Sequence, residues 1–408
     1  VSTQDNPQSS LKGPEVLPPV GTEQEGGGVA ALARDSYKVV VSDCHLSAGR
    51  IFEGRLNPHE DFHFDEEMAA LFEHFCRGKY GLHSDGMPVE VELVLAGDYL
   101  DPLNVPVEGE FEDNITESVA LRKVEAILAG HPRVWKAIRT FASQPGKRVT
   151  YLIGNHDADL FFPKVRARIT REWDPEGREE SPVVRLIADT DRLSYPECGL
   201  EIRHGNQFEA GSVLNFDKPL LTEHLEEPVL NMPWSSFFVL KIINRLKWER
   251  EYLDKIRPVK LFVLVGVLID PLFTLRFTIL SVFYFLQTRF VYSPSRRATW
   301  KVTYQILKQE SAHVFQDLER EAREILTERK DLKTLIFGHT HRPMDKVWPD
   351  GKQYINTGTW TKMVNLDLRG LGQQVRRTFA FVHIQGQHLR CELRNWVGES
   401  GPHQLFDR

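Results

Sequence analysis

Four β-branched, apolar runs in this chain each stop at a short cluster of Asp, Asn, His and Gly, and that recurring ending constrains the fold more than any global property. Val39-Val40-Val41-Ser42 runs into Asp43-Cys44-His45, and Val91-Glu92-Leu93-Val94-Leu95-Ala96 into Gly97-Asp98-Tyr99-Leu100-Asp101. Val149-Thr150-Tyr151-Leu152-Ile153 leads to Gly154-Asn155-His156-Asp157, and Leu332-Lys333-Thr334-Leu335-Ile336-Phe337 to Gly338-His339-Thr340-His341. A fifth cluster, His204-Gly205-Asn206, follows a pair of strands that folds back at Glu197-Cys198-Gly199. Runs of this kind read as strands. Strand ends that meet on one rim of a sheet bring residues far apart in sequence to one point. Carboxylate, amide and imidazole donors gathered there suit a pair of divalent first-row metal ions.

The rest of the chain fits an alternating α/β pattern. Met68, Leu71, Phe72 and Phe75 recur at helical spacing within 66–76, and further helices are expected over 114–128, 133–142 and 159–173. Strands are expected at 183–187, then as hairpins around Pro349-Asp350-Gly351 and over 379–384 and 389–396. The first 35 residues are rich in Pro, Gly, Ser, Gln and Glu. Such a segment buries too little apolar surface to offset its ordering entropy, so a disordered tail is expected there.

About 130 residues separate His204 from His339, and this stretch holds the odd part of the sequence. Leu261 to Leu286 is strongly apolar and is interrupted at Asp270-Pro271. A spanning helix would place Asp270, Pro271 and Arg276 near mid-bilayer, at ~2.5–3.5 kcal/mol per charge. A helical hairpin broken at Asp270-Pro271 fits better. Its flanks are basic: Lys241, Arg245, Lys247, Arg250, Lys255, Arg257 and Lys260 before, Arg289, Arg296, Arg297 and Lys301 after. An apolar hairpin with a basic collar is what an interfacial element on an anionic membrane needs, so 241–301 is read as that contact. A buried core and an oligomer interface stay open as alternatives. Ala298 to Lys330 reads as a long polar helix returning to the core.

The formal net charge of −6 gives no argument for nucleic acid, and none is expected as a partner. The four cysteines (Cys44, Cys76, Cys198, Cys391) have no CxxC pairing. With no secretory signal recognisable, they read as reduced thiols of a cytoplasmic protein, peripheral to the inner face of a membrane. Alternation along the strand end turns Cys44 away from the residues on either side of it, into packing.

In order and spacing, these five motifs resemble those of the calcineurin-like metallophosphoesterases, DxH, GDxxD, GNHD, GH and GHxH, over Tyr37 to Trp360. The resemblance implies a four-layer αββα sandwich with a helical, partly apolar insertion. The core would occupy 36–211 and 331–408, and the insertion 212–330. It further implies that Asp43, His45 and His341 bind one metal, Asn155, His204 and His339 the second, and that Asp98 bridges them. The expected ions are manganese first, with iron or zinc as alternatives. His156 is the expected general acid, Asp157 its orienting carboxylate, and Asp101 a structural residue. The implied reaction is hydrolysis of a phosphate or pyrophosphate ester, lipid-linked in the preferred reading, by metal-bridged hydroxide.

Pro102 and Asp157 stand where Ser/Thr phosphoprotein phosphatases carry Arg and Glu, which speaks against that activity. Ser42-Asp43-Cys44-His45-Leu46 and Gly338-His339-Thr340-His341-Arg342-Pro343 are similar to the UDP-2,3-diacylglucosamine pyrophosphohydrolases. Those enzymes, however, usually have Arg at the place of His156 and Asp at that of Asn206. Two alternatives stay open: a hydrolase of soluble nucleotides or cyclic phosphodiesters, and a membrane-docked scaffold with a vestigial site.

Overall fold

The computed structural model describes residues 34–177, 183–223, 225–250, 253, 255–257, 266–290, 318–365, 372–398 and 403–406. The expected tail up to residue 33, residues 261–265 of the first arm of the apolar hairpin and most of the helix expected over 298–330 lie outside them.

The apolar runs named above form the parallel strands of two sheets. In the first sheet β1 (Asp35–Val41), β2 (Glu90–Ala96), β3 (Lys147–Leu152) and β4 (Val184–Ile187) run parallel. The second sheet opens with β5 (Arg192–Tyr195) antiparallel to β6 (Leu200–Arg203). It continues with β7 (Thr334–Phe337), then β8 (Met344–Val347) and β9 (Gln353–Asn356), in the order β8-β9-β7-β6-β5. β6, β7 and β9 are parallel. Three antiparallel strands, β10 (Thr378–Gln385), β11 (His388–Trp396) and β12 (His403–Leu405), complete the first sheet on the β1 side.

Period-two alternation decides the layering. Val40, Val94, Ala96, Leu152 and Val382 of the first sheet pack against Leu193, Leu200, Ile202, Ile336 and Ile355 of the second. The alternate residues Val39, Val41, Leu93, Leu95 and Val149 face helices α1 (Asp65–His74), α2 (Glu117–Gly130), α3 (Pro132–Ser143) and α4 (Pro163–Trp173). The outer face of the second sheet, through Leu335, Phe337 and Tyr354, meets Ala322 and Leu326 of the last helix, Glu319–Glu328. The order is thus helices, sheet, sheet, helix. The expected helix over 159–173 divides at Pro163 into a 3-10 turn, Ala158–Phe161, and α4, because proline fits a first helical position and not an interior one.

Between the sheets in sequence, α5 (Trp234–Phe238) passes through a π turn (Val239–Ile243) into α6 (Asn244–Lys247), and α7 spans Pro271–Phe290. The helix break at Asp270 is where the sequence puts it. Among the described residues no helix is long and apolar enough to cross a membrane.

The basic collar needs correction. Lys247 is buried and ion-paired to Asp61 at 2.9 Å, and Lys255 reaches the other oxygen of the same carboxylate at 2.8 Å. Lys241 pairs with Asp113 at 3.1 Å and Arg250 with Asp270 at 2.7 Å. Their acidic partners lie outside the basic run or at the helix break, so counting charges along the segment could not reveal the pairing. Lys241, Lys247 and Lys255 tie the insertion to the body of the protein, while Arg250 braces it internally at the helix break.

Candidate metal centre

Every expected ligand lies just past the C-terminal end of a parallel strand, where crevices form in open α/β sheets. The loops after β1 and β2 are zipped together by backbone hydrogen bonds. Asp43 N donates to Gly97 O at 3.1 Å, His45 N to Asp98 O at 3.0 Å and Leu46 N to Tyr99 O at 3.0 Å. Across the two sheets, His339 N donates to both oxygens of Asp43, at 3.0 and 2.9 Å. The motif glycines allow these approaches. A Cβ on Gly154 would collide with the Asp98 carboxylate, and one on Gly338 with Ser42 and Asp43.

Donor atoms of Asp43, His45 and His341 lie within 4.8 Å of one another, and so do those of Asp98, His204 and His339. His45 Nε2 is 3.0 Å from His341 Nε2, and His204 Nε2 is 3.1 Å from Asp98 Oδ2. His204 Nδ1 is fixed by Ala96 O at 3.0 Å, which leaves Nε2 facing the carboxylate. Asn155 is buried, and its Oδ1 has no hydrogen-bond partner among the described residues. A buried carbonyl oxygen without a donor is costly, and a cation would satisfy it.

Backbone conformation singles out the same residues. Seven described non-glycine residues have positive φ, and five of them are expected ligands: Asp43 (51°), His45 (51°), Asp98 (50°), His339 (68°) and His341 (59°). Left-handed backbone costs an L-residue about 1–2 kcal/mol. Such strain concentrates where side chains must be aimed, so this observation points to the site independently of the motifs.

Electrostatically the centre pairs buried carboxylates with imidazoles. Burial alone would raise the pKa of Asp98, but His204 and His156 hold it well below the usual carboxylate range. Burial opposes charge on His204, yet Asp98 and Asp43 outweigh it and lift its pKa to about 9.

The expectation for Asp157 does not survive. Its carboxylate accepts hydrogen bonds from Gly154 N at 2.5 Å, Tyr151 Oη at 2.6 Å and Tyr99 N at 3.1 Å. Burial, and then Asp98, push its pKa up to about 7. Asp157 thus braces the loops, and Asp101 is the partner of His156: Asp101 Oδ2 lies 3.1 Å from His156 Nδ1 and 3.0 Å from His45 Nδ1. Sequence adjacency favoured Asp157, while the loop geometry favours Asp101.

Two further elements escaped the sequence. Glu209 Oε2 sits 2.5 Å from His339 Nε2, in the loop after the fourth motif. Buried Glu60 accepts from Ser47 N and Gly49 N, at 3.2 and 2.6 Å, and so pins the chain just past His45. His131 lies between Glu60 (3.1 Å) and Asp65 (2.8 Å). Burial opposes its charge, but the hydrogen bonds to Asp65 and Glu60 prevail and lift its pKa to about 9.

A stability effect follows, with its sign fixed by the raised pKa. The stabilisation is full below the ordinary histidine value of about 6.5 and is lost as pH rises through about 9. Its size is on the order of 3 kcal/mol. Unfolding free energies of wild type and His131→Leu, taken from urea titrations, should therefore converge by roughly that amount between pH 6 and 10. A gap that does not change with pH would refute the assignment.

No protein-family model and no curated protein matches this chain. Solved structures that resemble it include a single mutant of Vps29 from Entamoeba histolytica, at 10% identity and TM-score 0.28 over 91% of this chain and 97% of that one. A predicted phosphoesterase from Streptococcus pneumoniae gives 10% identity and TM-score 0.28 over 92% and 99%. A protein from Staphylococcus aureus described as a 5′-nucleotidase gives 11% and 0.31 over 88% and 54%. Similarity this low carries no argument about activity, which rests instead on the residues described above.

Proposed function

We propose that this chain is a calcineurin-like, dinuclear-metal phosphoesterase that hydrolyses a phosphate or pyrophosphate ester. The observation that carries this reading is the pair of adjoining carboxylate–imidazole clusters on strained backbone beside the orphaned Asn155 oxygen. Asp43, His45 and His341 would hold one ion and Asn155, His204 and His339 the other, with Asp98 between them. The donors are oxygen and nitrogen only, which suits manganese, iron or zinc, and manganese is the first choice. When bound, two such ions lower the pKa of water and neutralise charge on phosphoryl oxygens.

His156 is the residue placed to give a proton to the leaving oxygen. Its side chain is 21% exposed, against 6% for His45 and 1% for His204. Burial opposes its charge, but Asp101 and Asp98 outweigh it and lift its pKa to about 10. With Nδ1 turned toward Asp101 Oδ2 at 3.1 Å, Nε2 is the nitrogen left to face the substrate. One carboxylate, Asp101, therefore orients both a ligand and the acid.

The finer reading is a substrate with a lipid portion, handled in the cytoplasm against the inner face of a membrane. Its support is the seat of the insertion, where Asn244 Nδ2 donates to Leu103 O at 2.8 Å, two residues past Asp101. The similarity of the first and last motifs to those of the UDP-2,3-diacylglucosamine pyrophosphohydrolases agrees with that reading. Metal analysis and turnover of p-nitrophenyl phosphate esters test the core claim. Two ions per chain, and activity that a chelator removes and manganese restores, are expected. Bound metal without turnover of any ester would favour the scaffold. A panel of lipid-linked pyrophosphates and soluble nucleotides then decides the substrate.

A further inference from the structure

Helix α7 is apolar on two sides. Its inner side is anchored, with Phe273 and Tyr284 buried and Phe277 set edge-on to Phe238 at 6.4 Å. Its outer side is bare. Leu268, in the helical turn just before Asp270, is 80% exposed, and Leu272 is 81%. The stripe continues through Leu275, Ile279, Phe283 and Leu286, all more than two-fifths exposed. Steps of three and four residues put Leu272, Leu275, Ile279, Phe283 and Leu286 on one line along a 20-residue helix, about 30 Å long. Exposed apolar residues elsewhere in a soluble protein are normally scattered, and a contiguous stripe of this size marks a contact surface.

Charge selects the occupant. From Pro271 through Gln309 the sequence carries Arg276, Arg289, Arg296, Arg297, Lys301 and Lys308 and no Asp or Glu, in a chain of net charge −6. The charged residues of α7 itself are Arg276 and Arg289 alone, so a second copy packed on the same helix would add cations and no anion. An anionic bilayer surface complements them and accepts the apolar stripe as well. We propose that the outer face of α7 is a docking surface for anionic lipid, lying in the interface without spanning the bilayer. Arg276 is joined to Glu249 in the free protein, so lipid phosphate competes with one internal partner there. The docking surface does not depend on the chemistry proposed above.

The test is cosedimentation of the full chain with vesicles of equal parts phosphatidylcholine and phosphatidylglycerol, followed by vesicles of phosphatidylcholine alone. The wild type should bind the first and bind the second at least tenfold more weakly. A chain carrying Leu268→Ser, Leu272→Ser, Ile279→Ser and Phe283→Ser should lose at least tenfold in binding to the anionic vesicles. Its turnover of a small soluble ester should stay unchanged, since none of these residues touches the metal centre. Because the four positions face solvent, the variant should fold, and an unchanged thermal midpoint verifies it. A wild type that ignores anionic vesicles overturns the proposal. So does a wild-type dimer that the substitutions dissociate, because the stripe would then be an interface between copies.

Discussion

An Asp98→Ala protein should hold fewer ions than wild type and turn over no ester above background. Asp98 is buried in the second cluster and interacts with His204, His156 and His45, the last of these belonging to the first cluster. It also accepts the His156 backbone N–H at 2.8 Å. Removing it takes away the carboxylate best placed to serve both ions and loosens the loop that carries the acid. Metal-derived charge stabilisation is worth several kcal/mol, so the expected loss is roughly 10³-fold or more. Elemental analysis alongside turnover checks the result. Retained activity with a full metal complement would remove Asp98 from the ligand set.

His156→Ala should behave differently. The metal content should stay at the wild-type level, because the ring contacts Asp101 and none of its donor atoms falls among the two clusters assigned to the ions. Turnover should slow by about 10²–10⁴-fold, the usual worth of a positioned acid. The deficit should shrink for p-nitrophenyl esters, whose leaving group needs little protonation, and persist for alkyl esters. If both variants lose metal equally, the division between ligand and acid is wrong.

The contrast between these two residues reflects what a sequence can disclose. Each ligand sits within a few residues of a strand end, so local pattern and motif order suffice to find it, and the two-sheet architecture follows from the same strands. Asp101 and Asp157 are equally local, but which of them meets His156 depends on how two loops lie against each other. Glu60 and His131 are 71 residues apart and support the ligand loop without belonging to any motif. The basic collar misled for the same reason: Asp61 and Asp113, which neutralise part of it, come from elements far earlier in the chain. Short-range chemistry was readable. Pairing across the fold was not.

The left-handed backbone at Asp43, His45, Asp98, His339 and His341 has a practical consequence for anyone altering this site. At such positions a side chain does two jobs, donating to an ion and tolerating an unfavourable backbone, and alanine fails at both. Asparagine accepts this conformation more readily than most residues, and glycine adopts it freely. Comparing Ala, Asn and Gly at one position would therefore separate lost coordination from released or added strain. A glycine variant more stable than wild type, yet inert, would show that the fold itself holds these donors in place before any ion arrives.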